Sequence, residues 1–183
     1  LVQGAGPLGL FATALLSLHD PRRLVVVGAP ADRLDLARDW GATDTVLVER
    51  GQQPEERIDA VRQITGRGAS VAFELSGFPG VVAEGVQMMA RNSTYVLMGT
   101  LGGAPQPINA STIVTRGITV RGSMSGDIGD YHRAMLFLER YQDRFDWDRM
   151  LGEEFGLHEL ADALSAMQRM EQIKPIIRPA KSA

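Results

Sequence analysis

The chain has 183 residues, 44% of them hydrophobic, with no cysteine and a formal net charge of −3. That length can hold one full hydrophobic core. The interspersed, near-neutral charge gives no electrostatic case for nucleic acid or an anionic membrane. Without cysteine there is neither a disulfide framework nor a cysteine-ligated metal. His19, His132 and His158 lack ligand spacing, and no apolar run approaches the ~18 residues of a membrane span. No secretory signal stands at the start, so the expected compartment is the cytoplasm.

The first element reads as the end of a strand, Leu1-Val2-Gln3, feeding the turn Gly4-Ala5-Gly6-Pro7-Leu8-Gly9. An apolar helix follows through Leu10, Phe11, Ala14, Leu15 and Leu18. It is apolar on nearly every side, which calls for burial against a sheet. Such a turn normally follows a strand of about five residues, so the chain is expected to be a piece of a longer enzyme. Leu24-Val25-Val26-Val27 gives a second strand, Pro30 to Trp40 a helix stopped by Gly41, and Thr45 to Glu49 a short strand. Glu55 to Thr65 places Ile58, Val61 and Ile64 on one helical face. Ser70 to Leu75 is a strand, Val81 to Ala90 a helix, and Thr94 to Met98 a strand. The prolines of Gly102-Gly103-Ala104-Pro105-Gln106-Pro107 confine that stretch to a loop or an edge. Ile118 to Arg121 is a sixth strand. Two helical repeats (Tyr131, Ala134, Met135, Leu138, Tyr141, then Leu157 to Met167) and an apolar strand, Pro175-Ile176-Ile177, finish the pattern.

Strands alternating with helices in this way give an α/β, Rossmann-type, doubly wound parallel sheet of six strands. One domain is expected over 1–178, with 179–183 a tail. In a GxGxxG turn, Gly4 permits the tight strand-to-helix turn and Gly6 lets the backbone approach a pyrophosphate. Gly9 allows close packing of helix on strand, and the helix start faces the anion. A bare GxGxxG is weak, but the βαβ context makes it a dinucleotide site. A methyltransferase-type adenosyl site is the competing reading; such folds end in an antiparallel hairpin, which Glu153 to Pro179 does not resemble. Ligands on these sheets lie at the carboxyl ends of the strands. That aligns Gly4 to Gly9, Val27-Gly28-Ala29, Ser76-Gly77 and Met98-Gly99-Thr100 along one rim.

Further stretches carry a family resemblance: Arg33-Leu34-Asp35-Leu36-Ala37-Arg38-Asp39-Trp40-Gly41-Ala42, Phe73-Glu74-Leu75-Ser76-Gly77, Tyr95-Val96-Leu97-Met98-Gly99 and Ile118-Thr119-Val120-Arg121-Gly122-Ser123. With the glycine turn and the helix from His158 to Met167, they make the chain resemble the cofactor domain of medium-chain, zinc-dependent alcohol dehydrogenases from Val2 to Pro179. The resemblance implies an oxidoreductase that moves hydride between NAD or NADP and an alcohol or carbonyl substrate. Zinc and the proton relay would sit in a separate catalytic domain, so no catalytic or metal-binding residue is named here and the chain alone is expected to be inactive. The resemblance has Pro7 and Leu8 offer backbone N–H groups to the pyrophosphate, with Arg33 beside the adenosine ribose and Ser76 beside the adenine. Met98, Thr100, Ser123 and Ser125 would hold the nicotinamide carboxamide through backbone groups, and Lys174 would reach the phosphates. It further implies a homodimer or higher homo-oligomer, with Gln106-Pro107-Ile108 as the candidate sheet edge. Alternatives are a zinc-free quinone reductase of the same superfamily and a binding-only module that senses dinucleotides.

One departure matters. An NAD site normally carries Asp or Glu at the end of the second strand, to accept from the ribose hydroxyls. Here that position is Gly28, followed by Ala29 and Pro30, with Asp32 in the first helical turn and Arg33 the nearby cation. Nothing rejects a 2′-phosphate and little binds one, so NAD is taken first and NADP stays open. Glu74, ending the fourth strand, is read as a buried acceptor of loop N–H groups in preference to a catalytic acid.

Overall fold

The computed structural model describes residues 1–100, 105 and 107–179. The chain divides into two compact units, residues 1–125 and 126–183. The first unit holds a six-stranded parallel sheet of Val2–Gln3 (β1), Val25–Gly28 (β2), Asp44–Leu47 (β3), Ala69–Glu74 (β4), Met89–Leu97 (β5) and Thr119–Gly122 (β6). Its order is β3-β2-β1-β4-β5-β6. The chain winds outward from β1 to β3, then returns to lay β4 on the other side of β1. This is the expected doubly wound Rossmann topology, with its switch point between β1 and β4.

Five helices connect these strands: Pro7–Ser17 (α1), Ala31–Asp39 (α2), Pro54–Thr65 (α3), Val81–Met88 (α4) and Ala110–Arg116 (α5). α1 packs with α2, whereas α3 packs with α4 and α4 with α5. Alternation along β2 explains the two layers, because successive side chains leave opposite faces of a strand. Val25 and Val27 join a buried cluster with Val61, Val82, Val86, Met88 and Tyr95. Val26, buried too, lies outside that cluster. Residues Leu10 and Ala14 of α1 and Leu34, Ala37 and Trp40 in and after α2 are also buried.

Local chemistry sets the element ends. α3 begins with Pro54, carries Glu55 and Glu56 in its first turn and Arg62 in its last, and stops at Gly66, whose φ is +71°. Pro and acids suit a helix start, and a left-handed glycine suits its end. α3 is tied to α4 by a paired contact: Arg57 Nη2 and Nε donate to Glu84 Oε1 and Oε2 at 2.6 and 2.9 Å. That hydrogen bond, with the charge on Glu84, holds the Arg57 guanidinium above its ordinary value.

The second unit contains the helices Ile128–Arg140 (α6) and Leu160–Gln168 (α7) and a separate two-stranded parallel sheet of Leu151–Gly156 (β7) and Lys174–Arg178 (β8). α6 opens on a reciprocal capping box between Asp127 and Asp130. Three features differ from expectation. α5 was given no reading from the sequence, although Asn109 Oδ1 caps it by accepting from Ser111 N at 3.1 Å and Gly117 ends it at φ +63°. β7 was not read at all, because Gly152-Glu153-Glu154 breaks any apolar alternation. Of the expected sheet edge at Gln106-Pro107-Ile108, Gln106 lies outside the described residues and Pro107 and Ile108 are in no strand; among the described residues the sheet ends on β3 and β6.

Candidate functional site

Gly4 begins the turn with φ +113°, and its N–H donates to Val27 O at 2.8 Å. A Cβ there would lie 2.8 Å from Ser76 N and 2.9 Å from its Cα, so the glycine turn and the loop after β4 are in direct contact. A Cβ on Gly9 would lie 1.9 Å from Gly4 O. Gly6 is different: nothing lies within 4 Å of its Cβ position. Two of the three glycines are therefore required by the protein's own packing, and the middle one faces open space.

Gly6 caps α1 with φ −79°, no side chain caps the helix, and no acid lies in its first turn. The first bond of the helix runs from Leu10 N to Gly6 O at 2.9 Å. The N–H groups of Leu8 and Gly9 accordingly have no partner within the helix. Pro7 needs a correction: a proline has no N–H, so it sets φ at the first helical position and donates nothing. An uncapped helix start, a neighbouring position open to solvent and no competing carboxylate fit an anionic phosphate.

The rim around this turn is built from strand ends. Gly28 ends β2, and a Cβ on it would lie 2.7 Å from both the Cβ and the N of Ala5. Ala29 follows, half-buried. An acid at position 28 would therefore push on the glycine turn. We expect Gly28→Asp to weaken NADH binding and lower the Tm by several degrees, the cost of about 1–3 kcal/mol typical of overpacking. Tighter NADH binding at an unchanged Tm, by calorimetry and thermal denaturation, would show that the turn can yield.

Glu74 ends β4 and is fully buried. Its Oε1 accepts from Ser76 N at 2.7 Å, Ser76 Oγ at 2.7 Å and Gly77 N at 2.8 Å, and its Oε2 accepts from Gly99 N at 3.1 Å. Its backbone O accepts from Met98 N at 3.0 Å. This is the structural carboxylate read from the sequence. Ser123, just past β6, donates its N–H to Leu97 O at 2.9 Å. Met98, Thr100 and Ser123 thus follow the ends of β5 and β6 on the same rim, and Ser125 ends the first unit with φ +52°. Arg33 is 7% exposed on α2, and burial lowers its guanidinium from the ordinary value. Lys174 opens β8 in the second unit, where it pairs with Leu151.

Two features escaped the sequence reading. Beneath the turn, the buried Gln3 accepts from Tyr95 Oη at 2.5 Å and donates through Nε2 to Val81 O at 3.2 Å. Burial first, then the charges of Glu74 and Glu84, drive the Tyr95 phenol above its ordinary value, which keeps it a neutral donor. The signal was a glutamine in an otherwise apolar strand end. At the rim, Phe78 is 66% exposed. Among the described residues no three His, Cys, Asp or Glu side chains come together to hold a metal ion, and no helix is long and apolar enough to cross a membrane.

Comparison with known proteins gives a consistent picture. The family of zinc-binding dehydrogenases matches residues 7–140. The 5-exo-hydroxycamphor dehydrogenase of Pseudomonas putida is 31% identical over 179 residues, covering 97% of this chain and 49% of the relative. L-Threonine 3-dehydrogenase of Bacillus subtilis is 32% identical over 123 residues, covering 66% of this chain and 34% of that protein. An alcohol dehydrogenase structure from Thermotoga maritima superposes with a TM-score of 0.81 at 28% identity, over 96% of this chain and 48% of that one. The chain spans half or less of the length of each of these relatives.

Proposed function

Because the chain belongs to the zinc-binding dehydrogenase family, we propose that it is the dinucleotide-binding part of an oxidoreductase that moves hydride between a nicotinamide cofactor and an alcohol or carbonyl substrate. The observation that carries this is the turn itself: an uncapped helix start beside a glycine with open space over its Cβ position. The nicotinamide, when bound, supplies the hydride chemistry. The chain's own residues bind and orient. Leu8 and Gly9 present N–H groups to the pyrophosphate, Gly28 and Ala29 border the adenosine ribose, and Ser76 borders the adenine. Backbone groups of Met98, Thr100, Ser123 and Ser125 hold the carboxamide end. Zinc and the proton relay are assigned to the half of the full-length protein that these residues do not span, so the chain alone binds cofactor without turnover.

NAD is the proposed cofactor. Arg33, the nearby cation, is buried on α2, which leaves a 2′-phosphate without an exposed basic partner on that helix turn. Calorimetric titration of the chain with NADH and NADPH at two salt concentrations tests this. NADH should bind more tightly, with little response to salt. Tighter, salt-sensitive NADPH binding that Arg33→Ala removes would reverse the assignment, and absence of binding by either would overturn the functional reading.

A further inference from the structure

We propose that Gln3 and Tyr95 are positioning residues: together they form a buried clasp that fixes the two halves of the sheet relative to each other for a ligand that spans both. This rests on the dinucleotide reading above. A doubly wound sheet has two mononucleotide-binding halves, and a dinucleotide lies across the crevice where the strand order reverses. Here β1, β2 and β3 make one half and β4, β5 and β6 the other, with the crevice between β1 and β4. Backbone bonds join the halves in the plane of the sheet: Phe73 N donates to Leu1 O at 3.0 Å and Leu75 N to Gln3 O at 2.8 Å. Such bonds set the spacing of adjacent strands and leave the helix layer beneath to its packing.

Gln3 adds bonds of another kind. It is the last residue of β1, next to Gly4 of the turn, and only 3% exposed. Its Oε1 accepts from Tyr95 Oη of β5, and its Nε2 donates to Val81 O at the first residue of α4. Neighbouring strands lie about 4.8 Å apart, and β4 stands between β1 and β5, so two long side chains must meet to make this link. Space is kept for it. A Cβ on Gly85 would lie 2.1 Å from Tyr95 Oη and 2.5 Å from Gln3 Oε1; α4 therefore carries a poor helix former at its middle, where alanine would close the seat of the bond. An apolar pair could fill this core without that sacrifice, and a buried hydrogen bond adds little net stability. What it adds is direction, which apolar contact lacks. Val81 also lies just beyond the loop that begins at Ser76. Glu74 holds that loop at Ser76 and Gly77, and Gln3 holds the chain after it, so the turn and the far wall of the crevice answer to one side chain.

The test compares the 183-residue chain with a double variant, Gln3→Met with Tyr95→Phe, which removes the clasp at similar volume and leaves neither partner's polar group unpaired. Both chains are titrated with NADH, NADPH, ADP and reduced nicotinamide mononucleotide. The double variant should melt within a few degrees of wild type and bind NADH and NADPH about tenfold more weakly, the contribution of one or two buried hydrogen bonds. ADP, which reaches the turn and the β2 end, and the mononucleotide, which reaches β5 and β6, should hold their affinities within about twofold, because neither needs both halves set in advance. A pair that only stabilises the fold would weaken all four ligands by one factor, or none of them. Either result would overturn the proposal while leaving the dinucleotide reading in place. Should the double variant not fold, Tyr95→Phe alone is read by the same ratio of NADH to ADP affinity. A wild-type chain that binds none of the four would overturn both.

Discussion

Gly9→Ala is expected to abolish measurable dinucleotide binding and to destabilise the chain by about 3 kcal/mol or more, at the upper end of overpacking costs. The added Cβ would lie 1.9 Å from Gly4 O and 2.8 Å from Gly4 C. Both are backbone atoms, so no side-chain rotation relieves the overlap. α1 would have to withdraw from β1, and the buried Leu10, Thr13 and Ala14 of that helix would lose their packing. Gly6→Ala is the control. Its Cβ meets nothing within 4 Å and its φ of −79° suits alanine, so stability should stay within about 0.5 kcal/mol, as for other unstrained surface changes. Its binding should still fall, because the methyl group stands where the pyrophosphate approaches. Urea denaturation and calorimetry separate the two effects. A Gly9→Ala chain with wild-type stability would mean that the turn is looser than its contacts indicate, and a Gly6→Ala chain with wild-type affinity would place the phosphate elsewhere.

That contrast marks how far the sequence could be read. The Gly4-Ala5-Gly6-Pro7-Leu8-Gly9 spacing, a strand before it and a helix after it disclosed the turn, and the apolar periodicities disclosed the sheet and the connecting helices other than α5. These are local signals, each contained in a window of a dozen residues. The division of labour among the glycines was less visible, because it depends on where Ser76 and Ala5 lie in space. The Gln3–Tyr95 bond joins residues 92 apart in the chain, and a lone polar residue in a strand does not name its partner. Gly85 shows the same limit: it sits mid-helix in α4, where glycine is a poor helix former, yet a Cβ there would lie 2.1 Å from Tyr95 Oη. β7 was invisible because its pairing with β8, and not its own alternation, makes it a strand. The burial of Arg33 was not legible for a similar reason, since helix position alone does not reveal it.

Glu74 offers the sharpest separation between a structural and a chemical role. One carboxylate fixes two rim loops: Ser76 and Gly77 through Oε1, and Gly99 through Oε2. Gly99 is itself required, since a Cβ there would lie 2.2 Å from Glu74 Oε2. Glu74→Ala strands the Ser76 and Gly77 N–H groups and the Ser76 hydroxyl in a half-buried place, each costing about 1–3 kcal/mol when unsatisfied, while the Gly99 N–H keeps the Glu74 backbone O at 3.2 Å. Some of that is offset, because the burial of a charge is also removed. A net loss of about 3 kcal/mol is expected, with dinucleotide affinity falling as both loops relax. Glu74→Gln is isosteric and keeps one acceptor oxygen, but it turns an NH2 toward either the Gly99 N–H or the Ser76 and Gly77 donors. It should therefore lie between wild type and alanine in denaturant midpoint and in Kd together. A catalytic acid would behave otherwise. In the full-length enzyme Glu74→Gln would then remove turnover while leaving stability and cofactor affinity at wild-type values, and that outcome would move Glu74 from the framework of the site into its chemistry.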